Sequence, residues 1–248
     1  MIKLMKYELR KTMTIKLMIL GATALAEIVF LIGLFANKNR MAAIGVGLLA
    51  MLAFGGVMII GVASVVILHR DMNTKQSYML FMTPNSSYRI LGAKVLENGI
   101  SILVAGAFFF ALAALDLTLL FAHEGRLAEF WNWFRDFLRT IDSRITMDAS
   151  TLMALTFNLL VTWICTVCAA YLGDVISTAL LNDKRFNGLV SFLAFIALMW
   201  LVSFVQVKVT AGISGIQTVF LADGGIALVF AAVMYVLTAQ IMERKLSV

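Results

Sequence analysis

"MAAIGVGLLAMLAFGGVMIIGVASVVIL" runs from Met41 to Leu68 without one charged side chain. Crossing about 30 Å of hydrocarbon takes about 20 helical residues. In lipid the backbone polar groups must be satisfied inside the segment, which a helix does and a lone strand does not. The stretch therefore predicts a transmembrane helix, and the composition around it agrees. Of 248 residues, 62% are hydrophobic and 14% charged, with a mean hydropathy of +0.96. Soluble domains are about half apolar and about a quarter charged. The class is an integral membrane protein, and a soluble globular domain is excluded. The net charge of +6 is read as a topological bias and not as a nucleic-acid footprint.

Working outward, five further stretches are long and apolar enough to cross. The predicted spans are 17–36, 41–68, 99–122, 149–178, 188–207 and 224–242, within one all-α transmembrane domain covering 1–248. The first is too long for a signal-peptide core, carries Glu27 and leads straight into the next span, so it is expected to stay on the chain. An even number of spans returns both termini to one side. The segments on that side hold 13 Lys and Arg, among them Lys3, Lys6, Arg10, Lys11 and Lys16, against seven on the other. Both termini are expected to be cytoplasmic.

The segments between spans carry their own patterns. In "MIKLMKYELRKTMTIKLM" (Met1 to Met18), Ile2, Met5, Leu9 and Met13 fall near one helical face, with Lys3, Lys6, Arg10 and Lys11 largely off it. That suits an amphipathic helix on the inner leaflet, where cations meet lipid headgroups; the plainer reading is a basic flank that orients span one. In "LAEFWNWFRDFLRTID" (Leu127 to Asp142), Phe130, Trp133, Phe134, Phe137, Leu138 and Ile141 form an apolar stripe at helical spacing. It predicts a helix in the outer interface, or an outer gate or substrate lip. "VTAGISGIQTVFLA" (Val209 to Ala222) is apolar but too short to span, and is either a re-entrant or outer-surface element or an ordinary loop.

"RDMNTKQSYMLFMTPNSSYRILGAK", Arg70 to Lys94, holds the chain's only proline. Facing the cytoplasm, Tyr78, Met79, Leu80, Phe81 and Met82 would stand in water unless a partner covers them. Thr83-Pro84 breaks the helix, and Asn85 or Ser86 can cap a new one that begins near Tyr88. The segment reads as a rigid protrusion.

That segment, together with "KYELRKT" (Lys6 to Thr12) and a six-span layout ending in "MERKLSV", resembles the type-2 family of ATP-binding-cassette (ABC) exporter permeases. These are the membrane subunits of bacterial ABC exporters. The two motifs are specific for the family and silent on substrate. The resemblance implies an elbow helix over Lys3 to Lys11, with Lys6, Tyr7, Arg10 and Lys11 as its marked residues. It implies a coupling helix within Met72 to Met82, in which Met72, Asn73, Lys75, Tyr78, Leu80, Phe81 and Met82 dock on a cytoplasmic ATPase subunit. Two permease copies, expected to be a homodimer, and two ATPases would make the assembly in the bacterial cell membrane. No Gly-x-x-x-x-Gly-Lys-Ser/Thr loop occurs in the chain. The chain is thus expected to bind no cofactor, ATP and Mg being held by the partner. Some members of the family export peptides of the phenol-soluble-modulin type or confer antimicrobial-peptide resistance. The expected cargo is an amphipathic peptide or a lipid-like molecule.

Polar groups inside spans are the remaining clues. Glu27 lies near the middle of span one, where an ionisable group is costly; it serves either a translocation path or gate, or a structural hydrogen bond. Asn158 in span four reads the same way, while Asp116 and Asp174 fall near predicted ends and suit interfacial roles. Cys165 and Cys168 stand three apart in an apolar run with no further ligands near, which favours packing over zinc. The two histidines, His69 and His123, lie toward opposite sides and form no His-Glu-x-x-His motif, so the chain is expected not to be an enzyme. The rival reading is a non-transporting sensor or assembly subunit that docks a cytoplasmic partner.

Overall fold

The computed structural model describes residues 2–73, 86–132, 135–136, 149–181 and 187–246. Six long helices account for most of them: α1 (Ile2–Phe35), α2 (Asn39–Asn73), α3 (Ser87–His123), α4 (Ala149–Leu181), α5 (Asn187–Thr210) and α6 (Ile216–Leu246). Each contains a stretch long and apolar enough to cross a membrane, and the described residues include no strand. The protein is an all-α, multi-pass membrane protein. Large side chains such as Met51, Phe54, Phe110 and Trp200 are 66 to 79% exposed, as lipid-facing helix surfaces require and water-facing ones do not.

The helices overrun the predicted spans. α3 has 37 residues, about 55 Å, and starts twelve residues before the expected Gly99 boundary. α1 runs unbroken through the expected elbow segment, Lys3 to Lys11, into span one. The 209–222 stretch forms no re-entrant element: α5 ends at Thr210, residues 211–215 turn, and α6 begins at Ile216. Its apolar character belongs to the ends of two spans.

Local chemistry stops α1 and α3. After α1 the Lys38 amide bonds the Gly33 carbonyl (2.9 Å) and the Asn37 amide the Leu34 carbonyl (3.2 Å), with Asn37 at φ 53°. After α3 the Arg126 amide bonds Phe121 (2.9 Å) and the Gly125 amide bonds Ala122 (3.1 Å), with Gly125 at φ 68°. Both are Schellman closures, in which a left-handed residue lets two amides turn back to orphan carbonyls. α3 starts at Ser87, one residue before the expected Tyr88, where Ser86 offers its carbonyl to the amides of Arg89 and Ile90.

The chain divides into two compact units. Unit 1 comprises Met1–Glu8, Ser64–Gly99 and Met147–Val248; unit 2 comprises Leu9–Ala63 and Ile100–Thr146. In unit 1, α4 packs against α5 and α6. The backbone of α5 at Ser191 lies so near Gly173, and Phe157 so near Gly224, that a side chain at either glycine would collide. Cys165 and Cys168 are free thiols in its core beside Ala169, Leu172 and Met234. In unit 2, α1 and α2 form a tight hairpin whose core is Ala26, Phe30, Leu34 and Leu49. Gly45 lies directly against the backbone of Phe30.

Candidate functional site

On α3, Ser87, Ile90, Leu91, Lys94, Glu97 and Asn98 are all buried and recur at helical spacing, so a lysine and a glutamate share the inward face with isoleucine and leucine. On α2 the same holds for Ser64, Leu68, Asp71 and Met72. Where these faces meet the first turns of α1, Lys94 Nζ donates to Glu8 Oε2 at 2.8 Å and to Asp71 Oδ2 at 2.7 Å. The three residues are 2, 5 and 6% exposed. One ammonium thus joins α1, the end of α2 and the start of α3.

The cluster sits at the root of the 74–85 segment. Asp71 precedes that segment by three residues and Lys94 follows it by nine, so their ion pair closes the segment like a clasp, and Glu8 fastens the clasp to α1. Removing one partner from such a buried pair costs about 3–5 kcal/mol, because the survivor is left charged and unpaired.

Further polar bonds brace the same end of unit 1. His69 Nδ1 and Asp174 Oδ1 lie 2.7 Å apart, joining α2 to α4. Ser64 and Tyr171 share a short hydroxyl–hydroxyl bond. Trp163 Nε1 donates to Asn98 Oδ1 (3.2 Å) and Tyr235 OH to the Tyr88 carbonyl (2.5 Å). Around them Leu68, Leu91, Val175 and Met242 supply a hydrocarbon packing. These bonds tie α1, α2, α3, α4 and α6 together, and among the described residues no group of histidine, cysteine and carboxylates could hold a metal ion.

Of the expected coupling residues, Met72 is 6% exposed and packs in that core, so it anchors the segment from within. Asn73 ends α2; Lys75, Tyr78, Leu80, Phe81 and Met82 lie outside the described residues. In the elbow segment Lys6, Tyr7 and Arg10 are exposed and Lys11 half-buried, whereas Glu8 and Thr12 face inward. Glu8 lies off the apolar stripe of this segment, and no local pattern marks it as buried. Phe130 is buried, with its ring 4.8 Å from Phe121; Trp133, Phe134 and Phe137 lie outside the described residues.

The two expected path residues fall in different units. In unit 1, Asn158 Nδ2 donates to the Phe220 carbonyl at 3.0 Å, a structural bond from α4 to α6. In unit 2, Glu27 of α1 and Asp116 of α3 face each other within hydrogen-bonding reach. Asp116 and Asp174, which fall near predicted span ends, are 8 and 3% exposed.

Lys94, Asp71, Glu8 and Tyr171 were not singled out from the sequence, and His69 stood out there only as one of two histidines on opposite sides. A signal existed for the first: Lys94 shares a helical face with Ile90, Leu91 and Asn98, and a lysine on an apolar face calls for a buried partner. Comparison with known protein families, curated proteins and solved structures finds no match for this chain.

Proposed function

We propose that the chain is the membrane-spanning permease subunit of an ABC exporter, paired with a second copy and driven by a separate cytoplasmic ATPase. The observation that carries this reading is the Glu8–Lys94–Asp71 clasp. A segment rich in exposed-type apolar residues, Tyr78 to Met82, is held at its root by buried ion pairs. A partner that moved this segment would move α1, α2 and α3 with it. The bias of basic residues sets both termini and this segment on the cytoplasmic side, where a nucleotide-driven partner resides.

In this mechanism ATP binding closes the partner subunits, the 74–85 segment passes the movement to the clasp, and the helices open outward. ATP acts through its different affinity for the two states of the assembly. Lipid-facing apolar surfaces and the sequence of the 127–142 segment favour an amphipathic peptide or lipid-like cargo.

The test is reconstitution in liposomes with the ATPase that co-purifies with the chain, following ATP turnover and the efflux of labelled amphipathic peptides together. Turnover stimulated by peptide, with efflux, is expected. A triple change of Tyr78, Leu80 and Phe81 to Ala is expected to abolish efflux while leaving membrane insertion intact. Turnover indifferent to the chain, with no efflux, would favour a sensor or assembly subunit instead.

A further inference from the structure

We propose that Glu27 and Asp116 form a proton-binding site inside the membrane, one proton being held between the two carboxyl groups. Both residues belong to unit 2 and lie within the apolar helices α1 and α3, Glu27 near the middle of the predicted first span and Asp116 seven residues before the end of α3. Their side chains face each other within hydrogen-bonding reach. A carboxylate only accepts hydrogen bonds, so two of them meet in this way only when one carries the proton. Glu27 Oε2 and Asp116 Oδ1 are buried and receive no hydrogen bond from any other described residue.

The surroundings offer no substitute for the proton. Asp116 is more than nine-tenths buried. It borders a cavity of about 260 Å³ walled by Phe30, Leu49, Phe109, Leu112 and Leu120, none of which donates a hydrogen bond. α2, the third helix of the unit, carries no charged residue between Met41 and Leu68. On α1 the basic residue nearest Glu27 is Lys16, eleven residues and about 16 Å along the axis away, and its Nζ donates to Ser101 Oγ at 2.6 Å. On α3 the nearest to Asp116 is His123, seven residues and about 10 Å away, and α2 has Arg40 in its first turn. Two like groups in a medium of low dielectric, with no cation to balance them, share one proton.

Such a site belongs to this chain whatever drives it, and its test is independent of transport. Infrared spectra of the full chain in lipid nanodiscs are expected to show a protonated carboxylic C=O band at neutral pH. Labelling with ¹³C-aspartate or ¹³C-glutamate should displace this band. Glu27→Gln and Asp116→Asn should each abolish it, because the new amide donates to the remaining carboxylate. Absence of the band from the folded wild type, or its persistence in both variants, would overturn the proposal. So would its loss on adding sodium or potassium at constant pH, since the pair would then be a cation site. The labelling experiment needs no variant, so a substitution that impairs insertion does not protect the idea.

Discussion

The two ionisable sites of this protein are built on opposite terms. In unit 1 an ammonium stands between two carboxylates, its Nζ within 2.8 Å of both; in unit 2 two carboxyl groups meet with no described cation beside them. The first is matched in charge and joins three helices rigidly. The second is mismatched, and the proposed proton balances it. A buried charge with its partner in place is a fastening; a buried acid without one is neutralised by keeping its proton.

Lys94→Met removes the ammonium and strands Glu8 and Asp71 together, turning the first kind of site into the second. It is expected to destabilise the chain by about 3–5 kcal/mol, read as a fall in thermal midpoint in detergent or nanodiscs. Stability within about 1 kcal/mol of wild type would break the contrast. Asp71→Asn and Glu8→Gln each leave Lys94 one carboxylate and should cost less, about 1–3 kcal/mol apiece. Because both act through one ammonium, the double variant should depart from the sum of the singles; strict additivity would mean that the two pairs are independent.

His69→Gln loses the bond to Asp174, of which Oδ2 already has no described partner. It is expected to cost about 1 kcal/mol, small because the His69 side chain is 37% exposed. Glu27→Gln should have the least effect on stability, within about 1 kcal/mol either way, since an amide can donate the hydrogen bond that the carboxyl pair shares. If Glu27→Gln proved as damaging as Lys94→Met, the two sites would not differ in kind.

Six spans were legible from the sequence because lipid asks only for local apolarity: the uncharged run from Met41 to Leu68 needs no neighbour to be recognised. The ends of the helices were harder to read. Ser87 to Gly99 contains Arg89, Lys94 and Glu97 and does not resemble a span; the start of a helix near Tyr88 was legible from Pro84 and the polar residues after it, but not the burial of this stretch's charged face against α2 and α1. The clasp escaped notice for the same reason. Glu8 and Lys94 are 86 residues apart and Asp71 and Lys94 are 23 apart, and no local pattern brings them together.

What the sequence determined by itself was the solvent: hydrocarbon, crossed six times by helices whose backbones satisfy their own hydrogen bonds. It also marked Glu27 as out of place, since a carboxyl in the middle of a span is costly in any arrangement. The tertiary structure decided what each polar group meets. It gave Lys94 two carboxylates, Asn158 a backbone carbonyl, and Glu27 another acid. Burial energy depends on a residue's own chemistry and is written along the chain, whereas electrostatic pairing depends on distance in space and is settled only when the helices pack.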